Sequence, residues 1–307
     1  MLICPFLIRV SHKLLKYISL KSTVFSSIES ILNEKIAQSA SVGGGCIADS
    51  RKIKTESGRE FFLKTGNTGN RMFHCEANGL KELEKAQALR VPQVVAATDD
   101  FLLLEYISQG IRPNDFFEKF GQGLARLHRF QAGCFGFVED NYIGATPQLN
   151  MPDSDEAQDW TAFYFNKRLL FQYKLAERNG FASPRLKTGF MKLESSIDTI
   201  LKGSEELPCL LHGDLWGGNY LCDENGEAVL IDPAVYYGHR EADLAMTKLF
   251  GGFSAAFYES YHDEYPLPVG WEYRENIYRL YHVLNHLNLF GTGYLREAEQ
   301  LLAFYIA

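Results

Sequence analysis

Apolar residues recur along this chain at two distinct periods, and the change of period divides it. Phe25, Ile28, Leu32 and Ile36 fall three or four apart, which predicts a first helix ending before Ser39. From Cys46 to Lys54 the pattern alternates as in a strand, Ser57-Gly58 supplies turn chemistry, and residues 59–64 return as its partner. A helix over 71–89, carrying Glu76, Leu80 and Leu83, follows; Val94–Ala97 and Phe101–Leu104 then make a second hairpin around Asp99-Asp100.

Beyond Ser108 the helical period dominates. Asn114 is the expected N-cap of a helix presenting Phe117, Phe120, Leu124 and Leu127 on one face. A polar, proline-containing loop is expected over 146–155, then a helix through Trp160, Tyr164 and Arg168 that stops at Gly180. Leu186, Phe190, Leu193 and Ile197 mark another, stopped by Gly203. Four more are expected near 240–250, 254–263, 272–290 and 294–306. A β-rich segment followed by a helical one predicts an α+β, bilobal fold: an extension over 1–22, a small lobe over 23–107 and a helical lobe over 108–307.

At 307 residues the chain can bury two such cores. A formal net charge of −7 argues against a nucleic-acid partner. Six scattered cysteines show neither a C-x-x-C pair nor zinc spacing, so reduced thiols in a cytoplasm are expected. In the leader, the apolar run 1–8 precedes Arg9, His12, Lys13 and Lys16, the reverse of a secretory signal, and it is too short to span a bilayer. We read it as a poorly ordered extension or a start assigned too early, and expect no membrane association.

The candidate chemistry lies where short strands end. His212 to Asn219 reads HGDLWGGN, and Ile231-Asp232-Pro233 follows after the turn residues Asp223–Gly226. Pro208–Leu211 and Ala228–Ile231 are apolar strand candidates flanking that turn, so the HGD segment leaves one strand and Asp232 ends another. A carboxylate, an amide five positions later and a second carboxylate is the spacing of phosphate-transferring kinases, whose sites position a hydroxyl and neutralise phosphate charge. Asp214 would take the hydroxyl proton; Asn219 and Asp232 would hold Mg2+ against ATP. Gly43-Gly44-Gly45 would let backbone N–H groups approach the phosphates, without a Walker A pattern. Lys64 would reach the α/β-phosphates, Glu76 would orient Lys64, and Glu105-Tyr106-Ile107 would line the adenine edge as the hinge.

Several of these segments together resemble the fructosamine kinase (ketosamine kinase) family. They are GGGCI at 43–47, FLK at 62–64, Met72-Phe73 with Glu76, LARLH at 124–128, LLHGDLWGGN at 210–219, the run from Ile231 to Phe253, and LNHLNLFG at 284–291. The similarity spans residues 23–307, and the Trp216-Gly217-Gly218 insert sets it apart from the HGD…N…D skeleton of aminoglycoside and choline kinases. The resemblance implies a protein-kinase-like fold and ATP-dependent phosphorylation of a ketosamine on the sugar's third-carbon hydroxyl, whose product breaks down and releases the amine. That is a deglycation repair role. Gly213 stands where protein kinases carry Arg, Pro233-Ala234 stands for Phe-Gly, and no activation segment follows, so control by activation-loop phosphorylation is not expected.

Trp216 and His212 are the acceptor-side candidates, and Trp216 fits stacking on a sugar or packing beneath the loop equally well. Asp243 is expected to support the loop, and His282 with His286 to sit in the core rather than bind metal. His239 and Arg240 fit either phosphate contacts or caps. Two alternative functions remain: a kinase of another small acceptor, such as an aminoglycoside or amino alcohol, and a nucleotide-binding pseudokinase. The intact set Lys64, Glu76, Asp214, Asn219 and Asp232 argues against the latter.

Overall fold

In a computed structural model the described residues are 23–43, 49–66 and 71–306. The extension over 1–22, the start of the strand expected at Cys46, and Gly44 and Gly45 of the glycine run lie outside them. The chain divides into two compact units, one comprising described residues up to His74 with Gln93–Tyr106, the other Cys75–Pro92 with the chain from Ile107 onward.

The first unit is an antiparallel sheet with one helix on it. Helix α1 covers 23–32, and strands β1 (Ile36–Ser41), β2 (Asp49–Thr55), β3 (Glu60–Thr65), β4 (Val94–Ala97) and β5 (Phe101–Glu105) lie in the order β1-β2-β3-β5-β4. Alternation sends Phe61 and Leu63 of β3, and Phe101 and Leu103 of β5, to one face, where Val24 and Ile28 of α1 complete the core. The first helix is shorter than its period suggests. Asn33 adopts a left-handed φ of 51° and ends it, so Ile36 opens β1 instead of a further turn. Strand β1 went unforeseen because it is a largely exposed edge strand of small and polar residues, IAQSAS.

Helix α2 (Met72–Lys85) is five residues shorter than the expected 71–89, and from Cys75 it belongs to the second unit. That unit continues with α3 (Phe116–Leu127), the hairpin β6 (Asn141–Ile143) with β7 (Thr146–Gln148), α4 (Trp160–Tyr164), α5 (Phe171–Arg178) and α6 (Pro184–Leu201). Strands β8 (Cys209–Leu211), β9 (Tyr220–Cys222), β10 (Ala228–Leu230) and β11 (Tyr236–Gly238) follow, then α7 (Glu241–Leu249), α8 (Ala255–Glu264), α9 (Trp271–Phe290) and α10 (Leu295–Ile306).

Three expectations change here. Asp115, not Asn114, occupies the N-cap of α3, and it makes no side-chain cap. The loop expected from Thr146 contains β7. The single helix expected through Trp160 and Arg168 is broken by a π-helical turn over Phe165–Leu170, which turns the fully buried Arg168 toward Tyr236. Ser183 caps α6 through Leu186 N–H, and Gly180 and Gly203 follow their helices with φ of 75° and 84°. A core of Phe163, Leu169, Leu186, Leu193, Leu211, Ile277, Leu284 and Leu302 joins α4, α6, α9 and α10 beneath β8.

Candidate active site

The two candidate loops are held by two separate two-stranded sheets. Pro208–Leu211 and Ala228–Ile231, the strand candidates flanking the turn, do not pair with each other. Strand β9 pairs with β10, and β8 pairs with β11, both antiparallel. The tight turn decides this: Asp223 N–H donates to Glu227 and Gly226 N–H to Asp223, so only residues directly preceding the turn can meet β10. The loop 212–219 therefore runs from β8 to β9, and the loop 231–235 from β10 to β11. They are stitched together by Ile231 N–H on the Asn219 carbonyl at 3.0 Å and Ala234 N–H on the His212 carbonyl at 2.9 Å.

Within this frame Asn219 Nδ2 donates to the Asp214 carbonyl at 2.8 Å and to its carboxylate at 3.2 Å. With its nitrogen committed to Asp214, the amide has its oxygen for a cation. Desolvation, then the charge of Asp232, push the Asp214 carboxyl well above the usual range, so the two carboxylates feel one another. Asp232 adopts φ of +55°, unusual for a residue with a side chain. A carboxamide oxygen and carboxylates are hard oxygen donors, the set that Mg2+ takes when phosphate oxygens and water complete its shell. The residues present fit that ion.

The His212 ring is fully buried and has main-chain partners on both nitrogens: Nε2–H donates to Ile231 at 2.9 Å, and Nδ1 accepts from Asp214 N–H at 3.3 Å. Burial keeps it neutral, as that tautomer requires. Asp243, at the start of α7, accepts His212 N–H at 2.7 Å and Gly213 N–H at 2.8 Å. Behind it lies a pair that the sequence did not single out for this: His128 Nε2 meets Asp243 at 3.3 Å while its Nδ1 meets the Tyr261 hydroxyl at 2.8 Å. Helical patterning exposes a polar residue at the end of an apolar stripe, but not its partner 115 positions away.

Trp216 is 38 % exposed; its indole lies across Gly218 and meets Phe250 edge-on at 6.1 Å. Arg240 is buried and bonds Glu206 through Nε and Nη2, so its charge is spent inside the second unit. His239 is buried and neutral, its pKa pushed down to about 4 by desolvation. His282 is likewise buried, and His286 Nδ1 faces its carbonyl at 2.8 Å; no group of three or more acidic, His or Cys side chains poised for a metal occurs among the described residues.

In the first unit, Gly43 lies beyond β1, and Lys64 is buried on β3 between Ser50 and Leu102. Glu105 closes β5, where its backbone N–H and carboxylate both engage Gln93, and Lys52 caps the Tyr106 ring at 4.0 Å. Glu76 and the buried Ile107 belong to the second unit.

A sequence profile of the family described as fructosamine kinase matches residues 20–307. The chain belongs to the fructosamine kinase family. A Synechocystis protein assigned as a ketoamine kinase is 40 % identical over 276 residues, covering 87 % of this chain and 90 % of its own. The chloroplastic protein-ribulosamine 3-kinase of Arabidopsis thaliana is 39 % identical over 281 residues, covering 89 % and 83 %. Among solved structures, a Thermobifida fusca chain assigned as a fructosamine-3-kinase superposes with a TM-score of 0.83 at 31 % identity, over 92 % of this chain and 98 % of that one. A choline kinase from Streptococcus pneumoniae shares the fold at 17 % identity and a TM-score of 0.65. This family member is a phosphotransferase acting on a sugar hydroxyl, with the protein-kinase-like fold expected from its sequence. No helix among the described residues is long and apolar enough to cross a membrane.

Proposed function

We propose that this fructosamine kinase uses Mg-ATP to phosphorylate the third-carbon hydroxyl of a ketosamine, so that the product breaks down and frees the amine. One observation carries the reading: Asn219 is tied to Asp214 while Asp232 stands close enough to raise the Asp214 pKa. That contact supports grouping the candidate base with the candidate metal donors.

Asp214 accepts the acceptor's hydroxyl proton as its oxygen bonds the γ-phosphorus and the bond to the β-bridging oxygen breaks, releasing ADP. Asn219, through its oxygen, and Asp232 would hold Mg2+, which when bound would supply positive charge to offset that of the phosphates. Asp243 and the His212 ring keep the Asp214 backbone in place. In the first unit, Lys64 would bind the phosphates of ATP, and Glu105 and Tyr106 would receive the adenine. Trp216 faces the acceptor. The compartment is the cytoplasm, and the acceptor is a ketosamine on a free or protein-bound amine.

Incubating the purified protein with ATP and Mg2+ against fructosyl-lysine, ribulosyl-lysine, an aminoglycoside and choline tests this, with transfer read as an 80 Da gain (about the mass of HPO3) by mass spectrometry. Transfer to a ketosamine in preference to the others is expected. Transfer to choline or the aminoglycoside alone would overturn the acceptor assignment.

A further inference from the structure

The segment after Asp232 is held by side chains that the reaction scheme leaves unused. Gln148, at the end of β7, is buried, and its Nε2 donates to the Ala234 carbonyl at 2.9 Å and to Asn141 Oδ1 at 2.9 Å. Asn141, opposite it on β6, donates through Nδ2 to the Val235 carbonyl at 2.8 Å. The Tyr281 hydroxyl of α9 donates to Gln148 Oε1 at 2.7 Å, which settles which way that amide points. Arg168 closes the far side: it stacks on Tyr236 at 4.0 Å, bonds Asn150 Oδ1 at 2.7 Å and also takes the Leu149 carbonyl. The two carbonyls directly beyond the Asp232-Pro233 pair are thus fixed by a closed chain of buried amides.

We propose that Gln148 and Asn141 are positioning residues for Asp232: the β6–β7 hairpin is a permanent clamp that holds the metal-binding carboxylate in its left-handed conformation. The proposal rests on the reading of Asp232 as a metal ligand. A non-glycine residue at φ of +55° persists only where its surroundings over-determine it, and Pro233 has no N–H with which to help. In phosphorylation-controlled kinases an ordered activation loop puts the metal aspartate in place. Here Gly213 stands where such a loop's arginine anchor would be, and the space beside it is filled by the Ala234 carbonyl that Gln148 holds. The clamp makes the arrangement constitutive.

The test compares Gln148→Met, Tyr281→Phe and Asp232→Ala with the unaltered protein. It reads the Mg2+ concentration that half-saturates ADP binding by calorimetry, beside ADP affinity without metal and the thermal midpoint. Losing the carboxamide should raise the Mg2+ requirement about tenfold, and losing the tyrosine hydroxyl about threefold, with metal-free ADP affinity unchanged. Should Gln148→Met fail to fold, Tyr281→Phe decides. A lowered thermal midpoint with an unchanged Mg2+ requirement in the clamp variants, while Asp232→Ala loses its metal dependence, would leave the hairpin as mere packing and overturn the proposal. If Asp232→Ala itself binds Mg-ADP normally, the metal assignment is what fails, and the clamp's role falls with it.

Discussion

A Cβ added to Gly213 would lie 2.0 Å from the carbonyl oxygen of Ala234. The backbone of the HGD segment and the backbone beyond Asp232 are therefore in direct contact, at a φ of +82° that side chains rarely adopt. Either loop can move only with the other. Gly213→Ala should cost about 3 kcal/mol or more of folding stability, because a carbonyl tied to Gln148 and a backbone tied to Asp243 cannot step aside. Urea unfolding measures this. A loss below about 1 kcal/mol would mean that the loops separate readily.

Asp214→Asn separates chemistry from binding. The amide keeps the size of the side chain but cannot take a proton, so kcat should fall by about 10²–10⁴ while metal-free ADP affinity stays within about twofold. The unliganded variant should be no less stable than the parent, since it removes a desolvated carboxylate beside Asp232. Rapid-quench transfer assays and ADP calorimetry check both halves; turnover near the parent's would remove Asp214 from the base's role.

Both lobes' elements and the spacing of the proposed catalytic set can be read from periodicity and from the HGD…N…D run, because those signals are local. What escaped was set by partners distant in sequence. Strand β1 hides in exposed small residues, and β8 and β10 look like hairpin partners until the tight turn claims β9 for β10. Asn141, Gln148 and His128 sit in segments that read as polar loop or helix end. Each becomes significant only through a contact 94, 86 or 115 residues away, a distance over which no local rule operates. The π-turn at 165–170 is equally silent in an apolar stripe that fits an unbroken α-helix.

Asp243 gives the site its acid limit. Desolvation raises its carboxyl pKa, but the hydrogen bonds it accepts, from His128 and from Gly213 N–H among others, outweigh that and bring it below its ordinary value. The unfolded chain then binds the proton more readily, so this contribution is present above the unfolded pKa and is lost as pH falls through the folded one. Buried His128, whose pKa burial lowers, adds to acid lability in the same direction. Asp243→Asn should lose about 2–4 kcal/mol at neutral pH, because one amide cannot accept from both His212 and Gly213. The gap between variant and parent should narrow toward about pH 3. Urea titrations across that range test the sign; a gap that widens in acid contradicts it.

Trp216 presents two separable roles at one side chain. Its indole covers Gly218 and touches Phe250, yet 38 % of the residue remains in solvent, unusual for a ring that serves packing alone. An exposed aromatic face two residues from Asp214 suits the apolar face of a sugar ring. Trp216→Ala should therefore raise the KM for ketosamine about tenfold and leave the KM for ATP unchanged, with Trp216→Phe between the two in acceptor KM. If the ring only buttresses the loop, the pattern inverts: kcat and the thermal midpoint fall together while the acceptor KM holds. Steady-state kinetics with acceptor and ATP varied in turn distinguishes them, and the phenylalanine variant shows whether an aromatic face or the indole's full width is required.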